Sequence, residues 1–478
     1  MKDYKKEAQT FIDAHASWFT DISDQVWGFA ELSLKEFKST ELYCQKLREL
    51  GFAVTENLGG IRTSFCGAWG SGHPVIGILG EFDALDGLSQ KPGLAQPDPL
   101  VPGASGHGCG HNLLGAGSLA AAVAVKKYLE DTGKPGTVIF YGCPGEEGGA
   151  GKAFLAREGV WKQLDAAVSW HPGSANQVTS GSNTSSIQVL YKFKGIPAHA
   201  AGNPHVGRSA LDAVEVMNIG VQFLREHMTP DCRIHYAITD TGGISPNVVQ
   251  SSAAVLYMVR SNRVAEAVKL LARVDNIAKG AALITETSYD RVFIDGTADV
   301  LPNYTLEKLL FANMEAVELP VYTAEDWSLA EALKKTYPSG DIKGLDVCYD
   351  EAVKEKILAL SDNGRRAIND FLCPHFSCEE HFPGSTDVGD VSWLTPTAQI
   401  SAVCWPSGVP GHSWQVVTCG KTALAHKGML YAGKVLAGAV IDLLNAPETL
   451  AAAKAEFEKR SASGYVCPIE PDAVPTAL

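Results

Sequence analysis

The chain has 478 residues, with 45% hydrophobic and 20% charged content, ordinary globular usage that supplies a large core. At ~100–200 residues per domain, this length predicts more than one domain. A net charge of −14 and a sequence pI near 5.4 argue against a nucleic-acid surface, which shows a basic patch.

The first elements read as helices. Phe11, Ile12, Trp18, Phe19, Ile22, Val26 and Trp27 recur at helical spacing and predict an amphipathic helix. A second helix is expected over 39–50, ended by Gly51. Strand-like runs follow: "PVIGILG" (74–80), "GTVIFYG" (136–142) and "AAVSW" (166–170), with helices between them. Short apolar strands alternating with helices predict an α/β domain with a mixed, largely parallel sheet. From about Ser186 the texture changes. "SIQVLYKFKG" and "AAVLYMVRSN" read as half-buried strands, with helical runs after each, an antiparallel α+β layout. The chain then returns through "LPNYTLEKLLFANM" to an apolar strand, "AQISAVCW" (398–405). A helix over 421–444 and a polar tail end it. The expected organisation is a discontinuous catalytic domain (1–186 and 302–478) interrupted by an inserted α+β domain (187–301).

Eleven cysteines without framework spacing suit reduced thiols rather than a disulfide scaffold. No signal-peptide pattern opens the sequence, and no uncharged apolar run reaches ~18 residues. A soluble, cytoplasmic protein with neither nucleic acid nor membrane as partner is the expectation.

The chemistry-bearing side chains follow the strands. Glu81 and Asp83, then Glu146 and Glu147, then His171, then His412 each trail an apolar run. Ligands of open α/β sheets gather at the carboxyl ends of strands, so these residues can converge there. "GHGCGHNLLG" (106–115) adds Cys109 and His111 before an Ala/Leu-rich helix. A helix N-terminus is expected to lower the thiol's pKa and favour a metal-binding thiolate. Thiolate, imidazole and carboxylate together suit Zn²⁺, or neighbours such as Mn²⁺ and Co²⁺. In "GEEGG" one carboxylate can bind metal while the other faces the water as general base.

The motifs "LGEFDALDGLSQ", "GHGCGHNLLGAG", "FYGCPGEEGGAGK", "WHP", "FKGIPAHAA", "GRSALDAV", "GGISPNVVQ", "GSTDVGDVSW" and "AHKGML" span residues 80 to about 430. Together they resemble the aminoacylase/carboxypeptidase-G family of di-metal amidohydrolases, and within it the auxin-conjugate-hydrolase branch, where "CGH" replaces a bridging aspartate. The resemblance implies a catalytic domain of the zinc-aminopeptidase type with a ferredoxin-like lid and dimerisation domain. It implies two divalent ions per chain, Zn²⁺ or Mn²⁺, held by Cys109, His111, Glu147, His171 and His412, with Cys109 shared. Glu146 would be the general base, and Asp83 would orient a ligand. Glu81 stands where other branches keep a histidine ligand, which leaves its part open. His199 matches a lid histidine that stabilises the oxyanion in a neighbouring active site, and Asn247 and Arg260 match lid positions that hold the substrate carboxylate.

The implied reaction is cleavage of an acyl or aroyl–amino acid amide, with p-aminobenzoyl-glutamate the first substrate to test. A related N-acyl-amino-acid hydrolase or dipeptidase is the alternative. The substrate partner is a small N-acyl amino acid, and the assembly a homodimer through the lid or a heteromer with a related chain. Two readings of other kinds stay open: a thiol amidase using Cys109 with His107 or His111 as base, and a non-catalytic partner in a heteromeric hydrolase. The pattern departs from the family at "GFAELSLKEF" (28–37), expected to matter only locally, and over 320–383. The latter holds Cys373, His375, Cys378 and His381, loosely spaced for a zinc site.

Overall fold

The computed structural model describes residues 3–338 and 350–477; of the poorly matching segment 320–383, residues 339–349 lie outside the described residues. The chain splits into two compact units. The first takes Met1–Gly181, Leu301–Glu380 and Val391–Tyr465; the second takes Ser182–Val300, His381–Asp390 and Val466–Leu478.

The first unit is built on a seven-stranded sheet. Its strands are β1 (Ala53–Glu56), β2 (Phe65–Ser71), β3 (Val75–Glu81), β4 (Gly136–Cys143), β5 (Ala166–Gly173), β6 (Gln177–Thr179) and, late in the chain, β13 (Thr397–Val403), in the order β1-β2-β4-β3-β5-β13-β6. The central pairings β4–β3, β3–β5 and β5–β13 are parallel, while β1–β2, β2–β4 and β13–β6 are antiparallel. Strands buried on both faces read as continuous apolar runs, as in "VIGIL" and "VIFY". The parallel arrangement brings the carboxyl ends of β3, β4, β5 and β13 to one edge. The helix His111–Thr132 lies close on this sheet because its N-terminal turns carry small residues. A Cβ on Gly115 would stand 2.8 Å from the Glu81 carbonyl oxygen. Beside it runs Ala423–Asn445, long and apolar enough to cross a membrane but largely buried in this core.

Two helical expectations change. The first helix is two, Tyr4–Ala14 and Ala16–Phe29, separated at His15. Both pieces bury the predicted stripe (Ile12, Phe19, Ile22, Val26), so periodicity alone could not show the break. The polar tail holds another helix, Pro447–Arg460, started by proline at its N-terminus and anchored by buried Leu450 and Ala453.

The second unit carries β7 (Ser182–Asn183), β8 (Ser185–Lys194), β9 (Arg233–Asp240), β10 (Ser252–Ser261), β11 (Ser288–Thr297) and β12 (His381–Phe382). Helices Ala210–Arg225 and Val264–Ile284 complete a β-α-β-β-α-β sequence over β8–β11, whose antiparallel order β11-β8-β10-β9 is ferredoxin-like. Strands β7 and β12 pair in parallel. The unit is wider than the expected 187–301. Gly296 packs on Pro468, Arg291 pairs with Glu470, and the Ala298 amide donates to Asp390, which ties both distant segments in.

Candidate active site

The site forms where β3, β4, β5 and β13 end in the first unit. Glu81 closes β3 and Asp83 follows it; β4 leads into Glu146 and Glu147; His171 lies in β5. His412 follows β13 in a left-handed conformation (φ +53°), and its amide donates to the Gly108 carbonyl at 3.1 Å. That bond docks the late turn on the "GHGCGH" stretch. Gly110 must be glycine there: its φ is +74°, and a Cβ would stand 2.9 Å from the Trp405 ring and 3.1 Å from Pro172.

Two triads of donor atoms result, Cys109/His111/His171 and Cys109/Glu147/His412, with the atoms of each within 4.8 Å of one another. Cys109 belongs to both. A third group joins Glu81, His111 and Glu146. Cys109 Sγ is 3.4 Å from His171 Nε2, and His412 Nε2 is 3.4 Å from Glu147 Oε2. Donors around one ion with ~2.1 Å bonds lie roughly 3.4 Å apart in a tetrahedron. His111 Nε2 and Glu147 Oε1, 3.9 Å apart, are buried and have no hydrogen-bond partner. Buried polar atoms are normally satisfied, and a divalent cation would satisfy these. The donor set therefore fits a metal pair.

A buried network aims the donors. His111 Nδ1 lies 2.9 Å from Asp83 Oδ1, which turns Nε2 to the other donors. Asp83 Oδ2 accepts from the Ser33 hydroxyl at 2.8 Å and the Glu147 amide at 3.0 Å. Burial would raise the Asp83 pKa, but these bonds, His111's foremost, hold the carboxyl down to about 2. Glu36 accepts from the Gly145 amide at 2.9 Å, bracing the turn that carries Glu146. Burial, with Asp83 nearby, pushes its pKa up to about 8. The 28–37 departure is thus not merely local: Ser33 and Glu36 reach the site, and only the fold reveals it.

Burial, then the charge of His111, pushes His171 down to about 4, leaving a neutral imidazole. The expectation for Cys109 is reversed: burial, then the Glu147 carboxylate, raises its thiol pKa. The helix N-terminus does not win, because desolvation of a buried thiolate outweighs it. A bound cation would invert that balance. The thiol-amidase reading loses support here, since a nucleophilic cysteine needs a depressed pKa. His107 is no base either. It is buried, Nε2 lies 3.0 Å from the Val26 carbonyl oxygen, and burial holds its pKa down to about 4. Sequence reasoning also missed Lys152, which is fully buried with Nζ 2.6 Å from Glu81 Oε1. The only sequence signal was the lysine closing "GEEGGAGK".

The lid candidates lie in the second unit. His199 Nδ1 accepts from the amides of Ala201 (3.2 Å) and Gly202 (2.9 Å), which leaves Nε2 as the N–H donor. The Ala200 amide donates to the Asn247 carbonyl at 2.9 Å, so His199 and Asn247 share one turn system. Arg260 on β10 donates from Nη1 to Ser385 Oγ at 3.2 Å.

The cysteine–histidine cluster does not assemble as a zinc site. His381 belongs to the second unit, and Cys373, His375 and Cys378 do not gather donors as the triads do. His375 instead stacks on Phe311, with Nε2 4.0 Å from buried Glu307. Glu307 accepts from Ser180 at 2.8 Å and Ser377 at 3.3 Å, and burial pushes its pKa up to about 7.

The family model for Peptidase family M20/M25/M40 matches residues 79–289. The chain is 43% identical over 481 residues to a p-aminobenzoyl-glutamate hydrolase chain of Escherichia coli K12, the second of that enzyme's two kinds of chain, covering 100% of both sequences. Xaa-Arg dipeptidase of Mus musculus is 29% identical over 63% of this chain and 69% of its own. An aminobenzoyl-glutamate utilization protein from Klebsiella pneumoniae shares the fold with a TM-score of 0.58 at 15% identity, covering 88% of this chain and 97% of that one. A dinuclear metal binding peptidase of the M20 family from Bacillus subtilis does so at 0.55 and 16%, covering 91% and 99%. With full-length identity to one relative and the family match running across these strand ends, the chain belongs to Peptidase family M20/M25/M40.

Proposed function

We propose that this chain is a metal-dependent amidohydrolase that cleaves p-aminobenzoyl-glutamate to p-aminobenzoate and glutamate. The observation that carries the chemistry is the pair of donor triads sharing Cys109, with Glu146 beside them. The full-length relationship to the Escherichia coli hydrolase chain supports the substrate.

Cys109, His111 and His171 would hold one ion, and Cys109, Glu147 and His412 the other. Two divalent ions, Zn²⁺ or Mn²⁺, would supply Lewis acidity and an acidified water at the amide. Glu146 takes the proton of the attacking water and returns it to the departing amine nitrogen. Asp83 fixes the His111 ring through the proton on Nδ1. His199, from the lid of a neighbouring chain, donates its Nε2 proton to the oxyanion. Arg260 and Asn247 hold the substrate carboxylate, for which a guanidinium fork is suited.

The assembly is a homodimer through the lid unit or a heteromer with a related chain. Edge strand β9 supports this, with Tyr236 and Ile238 exposed, as do Ile219 and Phe223 on the helix Ala210–Arg225. An unpaired edge beside exposed apolar residues is a template for a second chain. The cysteine usage and the small-molecule substrate favour a cytoplasmic location.

The dipeptidase relatives favour a second reading, in which another N-acyl amino acid or a dipeptide is the substrate. The chain alone, supplied with Zn²⁺ or Mn²⁺, should be assayed on p-aminobenzoyl-glutamate, indole-3-acetyl-aspartate and an Xaa-Arg dipeptide. The proposal expects the highest kcat/KM on the first. A higher value on either other compound selects the second reading. No turnover on any of them selects the non-catalytic partner role.

A further inference from the structure

Lys152 and Glu81 are buried together beside the donor triads, with 0% and 1% exposure. The lysine is fixed from both ends. Its carbonyl accepts from the Trp161 indole at 3.0 Å, and a Cβ on neighbouring Gly151 would stand 2.0 Å from the Pro144 carbonyl oxygen, so the helix Gly151–Arg157 is pinned against the turn carrying Glu146. Its ammonium meets Glu81 Oε1 at 2.6 Å. The other oxygen, Oε2, is buried without a hydrogen-bond partner and lies 3.3 Å from His111 Nε2, itself buried and without one. His111's other nitrogen is engaged by Asp83. With the ring proton on Nδ1, two lone pairs face each other across 3.3 Å in a dry pocket, an arrangement that repels unless a cation lies between them.

A buried ion pair is often no more stabilising than an apolar substitute, so its retention is not explained by stability. We propose that Lys152 is a positioning residue that holds Glu81 by Oε1 and so presents Oε2 as a fourth protein donor to the ion held by Cys109, His111 and His171. The inference rests on the two-ion reading above. The lysine's second consequence is electrostatic. Its charge cancels that of Glu81, so the ion gains a donor without a net negative charge that would weaken its pull on the substrate carbonyl.

Binding of Co²⁺ to the metal-free protein tests this, followed by visible absorption, which reports coordination number, and the near-ultraviolet thiolate band, which reports Cys109. Wild type should take two ions. Lys152→Met and Glu81→Gln should each weaken one of them by about 10–100-fold and change its visible band while the thiolate band persists. The double variant E81Q/K152M should resemble the single variants rather than sum them, because the pair acts as a unit. It buries no lone charge, so it carries the test if K152M fails to fold. Wild-type affinity and visible spectrum in the folded variants would overturn the role of Lys152 and Glu81 alone. A wild-type protein that binds no Co²⁺ would overturn the two-ion reading together with it.

Discussion

The polar groups of the two units are held in opposite ways. In the first unit His111, Asp83, Glu81 and Lys152 are buried, and each is fixed by side chains from other elements. In the second, His199 and Asn247 sit on exposed turns and owe their orientation to backbone amides. The buried set carries a desolvation cost, which only a charge partner or a cation offsets. The exposed set carries little such cost and is free to meet a ligand from outside. The difference separates groups pre-arranged around an ion from groups that await a substrate.

Burial by itself does not mark the site, and Glu307 shows why. It is buried in the first unit, yet serves Ser180 and Ser377. Its pKa is raised from 4.5 to about 7, so the folded state resists its ionisation. The stability this group permits is complete below pH 4.5 and is lost as pH rises through about 7. Glu307→Gln should therefore stabilise the protein by about 3 kcal/mol at pH 8, with the gain vanishing below pH 4.5. Thermal unfolding of both proteins across that range checks it; a pH-independent difference would mean the carboxyl is not strained by burial.

For the exposed set the expected effect is smaller and of another kind. Arg260→Ala should raise KM by roughly 10–100-fold, the loss of one charge-assisted carboxylate contact, with kcat and metal content little changed. Steady-state kinetics with parallel metal analysis decides. A loss in kcat or in bound metal would place Arg260 among the pre-arranged groups and erase the contrast.

Much of the first unit is legible in the sequence because parallel strands announce themselves as apolar runs. The residues that trail those runs, Glu81, Glu147, His171 and His412, fall at the same sheet edge. The bracing groups are not legible. Ser33, Glu36 and Lys152 reach the site from elements with no strand signal, and nothing local in "ELSLKEF" distinguishes them from surface residues. The thiol of Cys109 is misread because sequence shows a helix start but not the desolvation around it. In the second unit β9 and β11 escape prediction. Strand β9 is an edge, mostly exposed, and β11 carries a bulge, so neither shows clean alternation. The segments 381–390 and 466–478 join that unit through contacts that no local pattern encodes.

The central claim is a two-ion centre with a separate carboxylate base, and the Glu146→Ala protein tests it most directly. Elemental analysis should find two divalent ions per chain, as in wild type, while kcat on p-aminobenzoyl-glutamate falls by about 10²–10⁴-fold. Near-wild-type kcat in that variant, or wild-type protein that turns over substrate without metal, would contradict it.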